Sequence, residues 1–131
     1  MKYYLMAMLM VSSALLSFTT YQAKPWVVPD KNKKAANPIK SNAESIKLGK
    51  EVWTKHCAVC HGKTGAGDGS KAAQLETAME DMSTAVVQGQ TDGELFYKIA
   101  EGRDEMPSFK KKIPDTEELW SVVNFIKSLK K

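Results

Sequence analysis

Two cysteines and a histidine lie close together near the middle of this 131-residue chain. Cys57 and Cys60 are three positions apart, and His61 follows the second cysteine directly. The chain has no other cysteine, so no disulfide framework can hold the fold together. Thiols and an imidazole at this spacing suit three kinds of chemistry: dithiol redox exchange, zinc binding, and covalent attachment of a haem whose iron takes the imidazole as a ligand.

Covalent haem attachment accounts for the pattern best. A redox dithiol would follow a strand at the start of a βαβ helix, and no strand pattern precedes Cys57. A zinc site needs four ligands, yet every cysteine and histidine lies between His56 and His61, which is too crowded for a tetrahedral cage. Two thiols at this spacing on a helix end reach both vinyl groups on one edge of a porphyrin. The sequence therefore predicts one covalent haem c, bound through Cys57 and Cys60, with His61 as an axial ligand of the iron.

Three amphipathic segments position this motif and predict an all-α domain. The first begins at the capping-box pattern Ser41–Glu44 and runs toward His56. The second begins at Thr91–Glu94 and ends at Gly102. The third begins at Asp115–Glu118 and has the strongest helical periodicity in the chain. The residues between the first and second helices show no strand alternation, and long loops in so small a domain usually wrap a bound group.

The last two-thirds of the chain resembles a single-haem class I cytochrome c domain. Gly49 and Trp53, eight and four positions before the first cysteine, match the small and aromatic pair that this family places on its first helix. The resemblance implies a cytochrome c fold, in which three main helices and long loops surround one haem with an exposed edge. It also implies that this pair crosses the C-terminal helix near Val122 and Phe125.

The second axial ligand is predicted to be Met106. Iron held by His61 needs a soft or imidazole donor on its opposite face, unless that position stays open. The other histidine, His56, is too close in sequence to reach across the ring. Met106 follows a predicted helix and precedes a proline that prevents a new helix there, so we expect an extended loop to offer its sulfur to the metal. This loop is similar to the Met-Pro ligand loop of the family. Met79, Met82 and an open position are the alternatives.

Two features depart from the family pattern. Glu105 stands where small cytochromes often have glycine or alanine, and an ionised carboxylate near the iron would lower the reduction potential. No proline lies between His61 and Met106 to supply the carbonyl that often orients the ligand histidine. We expect another backbone carbonyl to orient His61. The glycines of Gly65–Gly69 follow no strand, so they predict a loop close to the ring and not a nucleotide site.

The first 23 residues predict a targeting segment. Lys2 is their only charged residue, and residues 3–23 form an uncharged run. The segment is either a cleaved signal peptide or an uncleaved anchor, since 21 residues are just enough to span a bilayer of about 30 Å. In both cases we expect the rest of the chain on the exported, periplasmic side of the cytoplasmic membrane, soluble if the segment is cleaved and tethered if it is retained.

Residues 24–43, called the N-terminal arm below, are predicted to be an extended basic linker to a domain at residues 44–131. The arm contains three of the five prolines and has five lysines against one aspartate. As a random coil it would reach about 25 Å and would let the domain swing between partners, although Trp26 offers a way to pin it to the domain. The predicted domain has 13 basic and 14 acidic residues, which argues against binding to nucleic acid.

The predicted function is electron transfer, and no catalytic residues are assigned. With both axial positions filled, no substrate can bind the iron, so it can only exchange electrons through the haem edge. The iron would cycle between Fe(II) and Fe(III) and pass electrons between exported redox proteins, respiratory or other. Lys110, Lys111 and Lys112 follow the ligand loop and are predicted to form part of a basic rim that steers acidic partners to the edge. The alternatives are a haem subunit fixed in a larger oxidoreductase complex, and a five-coordinate haem protein with peroxidase or ligand-binding activity.

Overall fold

A computed structural model describes residues 24–131, so the predicted targeting segment lies outside the described residues. The described part of the chain forms six helices and contains no strand: α1 (Asp30–Lys33), α2 (Ala43–His56), α3 (Ala58–His61), α4 (Ala85–Gln88), α5 (Asp92–Glu101) and α6 (Thr116–Ser128). A single 3-10 turn, Ala72–Gln74, lies between α3 and α4. None of the helices within residues 24–131 is both long and apolar enough to cross a membrane. The predicted all-α class, with three main helices and long loops, is confirmed.

The helices α5 and α6 begin where the sequence predicts. The hydroxyl of Thr91 accepts a hydrogen bond from the Glu94 N–H at 3.1 Å, and the Glu94 carboxylate accepts one from the Thr91 N–H at 2.8 Å. At the start of α6, the Asp115 carboxylate accepts a hydrogen bond from the Glu117 N–H at 2.8 Å. These caps satisfy backbone N–H groups that have no partner inside the helix.

The capping box of α2 lies one residue later than predicted. Asn42, not Ser41, accepts the hydrogen bond from the N–H three residues on, at 2.8 Å from Ser45. The Ser45 hydroxyl, not the Glu44 carboxylate, accepts the return bond from the Asn42 N–H at 3.1 Å. Ser45 is buried whereas Glu44 is exposed, so the short hydroxyl is held against the helix start while the longer side chain extends into solvent.

The core forms where α2 crosses α6. Gly49 lies so close to α6 that a Cβ atom would collide with the Ser121 carbonyl. One turn later, the rings of Trp53 and Phe125 meet with their centroids 5.6 Å apart at an angle of 57°. Both side chains are buried. The crossing that the family resemblance implied is therefore present, with Ser121, next to Val122, as the residue nearest to Gly49.

The N-terminal arm is not the extended linker that its composition predicted. Val28 is only 3% exposed, and α1 lies against the start of α5. Gly93 approaches the Asn32 carbonyl so closely that no Cβ would fit between them. The Thr91 hydroxyl also donates a hydrogen bond to the Lys33 carbonyl at 2.8 Å. The prolines and most of the lysines of the arm are exposed. Its few buried or half-buried apolar residues are too widely spaced to give a helical or strand periodicity, so the sequence did not predict that the arm packs on the domain.

The second half of the arm is bound to α6 through two asparagines. Asn37 Nδ2 donates hydrogen bonds to Asn124 Oδ1 at 2.9 Å and to the Trp120 carbonyl at 3.2 Å. Asn124 is buried, and its Nδ2 donates to the Ile39 carbonyl at 3.2 Å and to the Ser45 hydroxyl at 3.1 Å. Because buried amides need partners, this network fixes the arm on the helical core, and a swinging movement of these residues would break it.

Candidate functional site

Cys57, Cys60 and His61 share one helical turn that continues directly from α2. The Cys57 N–H donates to the Trp53 carbonyl at 2.8 Å, which joins the motif to the end of α2. The N–H groups of Cys60 and His61 both donate to the Cys57 carbonyl, at 3.1 and 3.0 Å. Residues three positions apart lie on one face of a helical turn, so the thiols of Cys57, at the N-cap of α3, and Cys60 project from the same side of this turn.

The thiol chemistry of the motif disfavours a redox dithiol. Burial, followed by the neighbouring Cys60, raises the pKa of Cys57 to about 12. The Cys57 thiol therefore stays protonated at neutral pH, whereas dithiol exchange depends on a thiolate. Within residues 24–131, no group of three or more His, Cys, Asp and Glu side chains is placed to hold a metal ion.

The imidazole of His61 is held in a neutral form beside Trp53. Burial lowers the pKa of His61, and the carboxylate of Glu80 opposes this with a smaller effect. The centroids of the His61 and Trp53 rings are 5.5 Å apart. Trp53 Nε1 donates a hydrogen bond to the Gly62 carbonyl at 2.9 Å, which fixes the indole against the residue that follows the histidine. A neutral imidazole has a free lone pair, as a metal ligand requires.

His61 Nδ1 is buried and has no hydrogen-bond partner among the described residues. The sequence predicted that a backbone carbonyl would orient this ring, and the described part of the chain supplies none. The adjacent carbonyls are occupied, since Gly67 N–H donates to the His61 carbonyl at 2.9 Å and Gly69 N–H donates to the Cys60 carbonyl at 3.2 Å. A buried polar nitrogen without a partner is uncommon in proteins. A neutral, unsatisfied imidazole next to two thiols on one helical face fits a covalently attached haem.

The loop after α3 folds back onto the motif, whereas its predicted closeness to the haem ring stays a prediction. Gly67 has a φ of 79°, and a Cβ there would come within 2.8 Å of the Met79 carbonyl. The Met82 N–H donates to the Gly65 carbonyl at 2.7 Å, and the Met82 side chain packs against the hydrophobic core. The structure thus places Met79 and Met82 against this loop, where close packing accounts for both.

Met106 lies in a tight hairpin and not in the extended loop that the sequence predicted. The N–H of Met106 donates to the Arg103 carbonyl and the N–H of Arg103 donates to the Met106 carbonyl, both at 2.9 Å. Gly102, with a φ of 69°, ends α5 just before the hairpin. Asp104 has a φ of 52° at the first of the two turn positions, where hairpin turns of the primed types need a positive φ. Met106 is half-buried and packs against the core.

Phe109 brings the Met106 segment to the end of α2. Phe109 is buried, and its N–H donates to the Ile99 and Ala100 carbonyls of α5 at 3.3 and 3.2 Å. Its ring meets the half-buried ring of His56 edge to face, with centroids 6.3 Å apart. His56 precedes Cys57, so the segment that carries Met106 and the segment that carries the haem motif are neighbours in the fold.

Glu105 has a role that the sequence did not reveal. Its carboxylate accepts hydrogen bonds from the Thr77 N–H at 2.9 Å and from the Glu76 N–H at 3.1 Å. These bonds, the one from Thr77 first, lower the pKa of Glu105, so the group is ionised at neutral pH. The carboxylate thereby joins the hairpin to the loop that follows the 3-10 turn.

The three lysines after the hairpin are not equivalent. Lys110 forms an ion pair with Glu101 at 2.8 Å. Lys112 Nζ lies 5.5 Å from the centroid of the Phe109 ring, and Lys111 is exposed. A basic rim at this position, which stays a prediction, would therefore have its full charge at Lys111 and Lys112, since the charge of Lys110 is compensated.

Two comparisons with known proteins find matches, one to a family and one to a solved structure. The family model for the subunit described as cytochrome c oxidase, cbb3-type, subunit III, matches residues 44–126, more than half of the chain. Among solved structures, a chain of the reducing HAO-like protein complex of Kuenenia stuttgartiensis superposes with a TM-score of 0.62 at 24% sequence identity. The match covers 72% of this chain and 47% of that one, so this chain spans about half the length of its structural neighbour, and the likeness shows the fold alone. A search of curated proteins finds no match.

Proposed function

This chain belongs to the family of cytochrome c domains described as cytochrome c oxidase, cbb3-type, subunit III, and from this premise we propose that it transfers electrons through a covalent haem c with His61 and Met106 as axial ligands. When bound, the haem supplies one-electron exchange between Fe(II) and Fe(III). The observation that carries the proposal is the buried Nδ1 of His61, which no described residue satisfies, on an imidazole next to two thiols of one helical turn.

The chain's own residues would hold the cofactor and exclude water from it. Cys57 and Cys60 form the two thioether bonds. Trp53 packs between the His61 ring and α6, and its hydrogen bond to Gly62 keeps the start of the glycine loop against the motif. Because His61 is half-buried and its pKa is lowered, its imidazole is neutral and is available to the iron without loss of a proton.

Met106 is the second ligand in this proposal because hydrogen bonds fix its backbone in a segment that lies beside the end of α2. Both backbone hydrogen bonds of Met106 go to Arg103, and Phe109 keeps the segment beside the end of α2. Met79 and Met82, in contrast, lie against the glycine loop. A methionine opposite a histidine raises the reduction potential relative to two nitrogen ligands, which suits a carrier in an oxidative chain.

A second candidate function is that of a haem subunit within a larger oxidoreductase. The matching family is described as a subunit of an oxidase, and the structural neighbour belongs to a protein complex. In either role the partners are redox proteins at the membrane. We propose that residues 1–23 direct export to the periplasmic side or tether the chain there, and that Lys111 and Lys112 contribute to docking.

Redox-titrated optical spectroscopy of the exported, purified protein tests this function. We expect haem that resists extraction with acidic acetone, a single one-electron transition, and a sulfur-to-iron charge-transfer band in the ferric state. Met106→Ala should abolish that band, whereas the matched control Met82→Ala should keep it. Haem that is extracted by acetone, or a band that survives in Met106→Ala, would contradict the proposal. Co-purification of the native protein with a membrane complex would favour the subunit role over a diffusing carrier.

A further inference from the structure

The indole ring of Trp26, in the N-terminal arm, lies close to two cationic side chains. The guanidinium carbon of Arg103 is 4.5 Å from the centroid of the indole ring, and Lys98 Nζ is 5.5 Å from it. Both distances are within the range in which a cation is attracted to the face of an aromatic ring, and tryptophan is the strongest partner of this kind. Val27, the next residue, is 81% exposed, so the arm contacts the domain here through Trp26 and not through its neighbour.

Arg103 is fixed from several directions. Its Nη1 donates a hydrogen bond to the Lys24 carbonyl at 3.0 Å, and its Nε lies 3.3 Å from the Asp104 carboxylate. A guanidinium group is planar and has donors in fixed directions, so an aromatic face together with these two acceptors determines its orientation. The arm thus holds the side chain of Arg103 through both a ring and a backbone carbonyl.

The position of Arg103 determines that of Met106. The two residues form the paired ends of the hairpin, with reciprocal backbone hydrogen bonds of 2.9 Å. Only Asp104 and Glu105 separate them. A displacement of Arg103 would therefore move the Met106 backbone. The arm could affect Met106 in this way through Arg103, without a direct contact.

We propose that Trp26 and Arg103 are positioning residues, and that the N-terminal arm uses them to hold Met106 in place as a ligand. This inference rests on the proposed ligation by Met106. The arm would then do more than cover the surface of the domain, because its attachment would set how readily the methionine leaves the metal. Loosening the arm would convert a closed electron-transfer site into one that admits small ligands.

The rate at which ferric holoprotein binds added imidazole tests the inference, because imidazole enters only after the sixth ligand has left. We expect Trp26→Ala to raise this rate about fivefold, because the variant loses the cation–π contacts of Trp26 with Arg103 and Lys98 at a partly exposed site. Val27→Ala is the matched control and should keep the wild-type rate. Trp26→Phe keeps an aromatic face, so we expect its imidazole-binding rate to stay close to the slow rate of the wild type. Arg103→Ala should resemble Trp26→Ala, and the double variant should add little to either.

Combining these changes with Met106→Ala separates the two proposals. If Met106 is the ligand, Met106→Ala alone binds imidazole fast, and Trp26→Ala adds nothing in that background. An unchanged rate in Met106→Ala would refute the ligation itself. A fast rate in Met106→Ala together with equal rates in Trp26→Ala and Val27→Ala would refute only the positioning role. The positioning role would also be refuted if Trp26→Ala accelerated imidazole binding equally in the wild type and in Met106→Ala. Should Trp26→Ala not fold, the comparison of Arg103→Ala and Trp26→Phe with Val27→Ala decides between these outcomes.

Discussion

The two proposed axial ligands lie in regions that are held in different ways. His61 follows α2, whose apolar face is buried against α6 through Gly49 and Trp53. Met106 lies in a four-residue hairpin that is fixed by backbone hydrogen bonds and by charged side chains at the surface. The first region depends on helix packing, and the second depends on a small number of polar contacts.

This difference gives the two sides of the site different roles. Separating two helices at a buried crossing costs much free energy, because it exposes apolar area and leaves a cavity. A surface hairpin opens locally at much smaller free energy, without unfolding of the domain. The histidine side would therefore remain in place while the methionine side sets how easily the site opens. Changes in the first region should lower global stability, and changes in the second should alter ligand exchange with little effect on folding.

The largest effect is expected for Gly49→Val. The added side chain would collide with the Ser121 carbonyl and would come within 3.0 Å of the Phe125 Cβ, so α2 and α6 would have to separate. We expect a loss of at least ~3 kcal/mol in the free energy of unfolding, measured by denaturant titration of the holoprotein. Lys50→Ala, on the exposed side of α2, is the control and should change stability by less than about 0.5 kcal/mol. Equal stability of the two variants would mean that the crossing is not tight.

An intermediate effect is expected for Trp53→Phe. Phenylalanine keeps an aromatic ring near Phe125 and His61, but it removes one of the two donors to the Gly62 carbonyl, which keeps the hydrogen bond from the Gly65 N–H at 3.2 Å. The loss of one hydrogen bond to a carbonyl that keeps another costs about 0.5–1.5 kcal/mol, which should appear as a lower free energy of unfolding. Trp120→Phe, at a buried indole that stacks on Phe96 at 4.0 Å, provides a control for the loss of ring area. If both variants lose the same stability, the hydrogen bond to Gly62 contributes nothing measurable.

Sequence reasoning succeeded where a local pattern determines the structure. Capping residues such as Thr91 and Asp115 fixed the starts of α5 and α6, because a cap satisfies the backbone within three residues of itself. The CxxCH spacing indicated the cofactor, and the family resemblance carried by Gly49 and Trp53 implied the helix crossing. For α2 the same reasoning missed by one residue because Ser41 and Asn42 are both good caps.

Sequence reasoning failed where contacts join distant segments. The arm is fixed by Asn37 against Asn124 and by Trp26 against Arg103, and no local periodicity encodes such pairs. The hydrogen bonds from backbone N–H groups almost thirty residues earlier in the chain to the Glu105 carboxylate were likewise not predicted, whereas the effect of its charge on the iron stays a prediction. These long-range contacts belong to the methionine side, which is why that side was predicted less well than the histidine side.

A smaller effect is expected at Asp104, within the hairpin. Its φ of 52° is a left-handed conformation that aspartate tolerates and that glycine adopts without strain. Asp104→Gly should therefore keep the hairpin, while Asp104→Val should strain it by about 1–2 kcal/mol. Because the hairpin opens locally, we expect faster hydrogen exchange at the Met106 amide in the valine variant with little change in global unfolding. A matching loss of global stability would show that the hairpin unfolds only together with the core.

The smallest effect is expected for Glu105→Ala, which removes the bond between the hairpin and the loop at Thr77. The hydrogen bonds run from backbone N–H groups to an exposed carboxylate, so water can replace much of what is lost. Hydrogen exchange should accelerate at the Glu76 and Thr77 amides, and imidazole binding to the ferric protein should rise less than in Trp26→Ala. Global stability should stay close to that of the wild type.

Glu105→Gln is the matched variant, because its amide oxygen still accepts one of the two hydrogen bonds while the charge is lost. If the carboxylate acts mainly as an acceptor, the glutamine variant should recover much of the protection at Thr77 and keep the slow imidazole binding. If the charge acts on the iron, as its sequence position predicted, both variants should raise the reduction potential equally whatever happens to the amides. A shift in reduction potential without faster amide hydrogen exchange would thus show that Glu105 acts on the iron through its charge. Faster amide exchange without a shift in potential would show that Glu105 supports the methionine side.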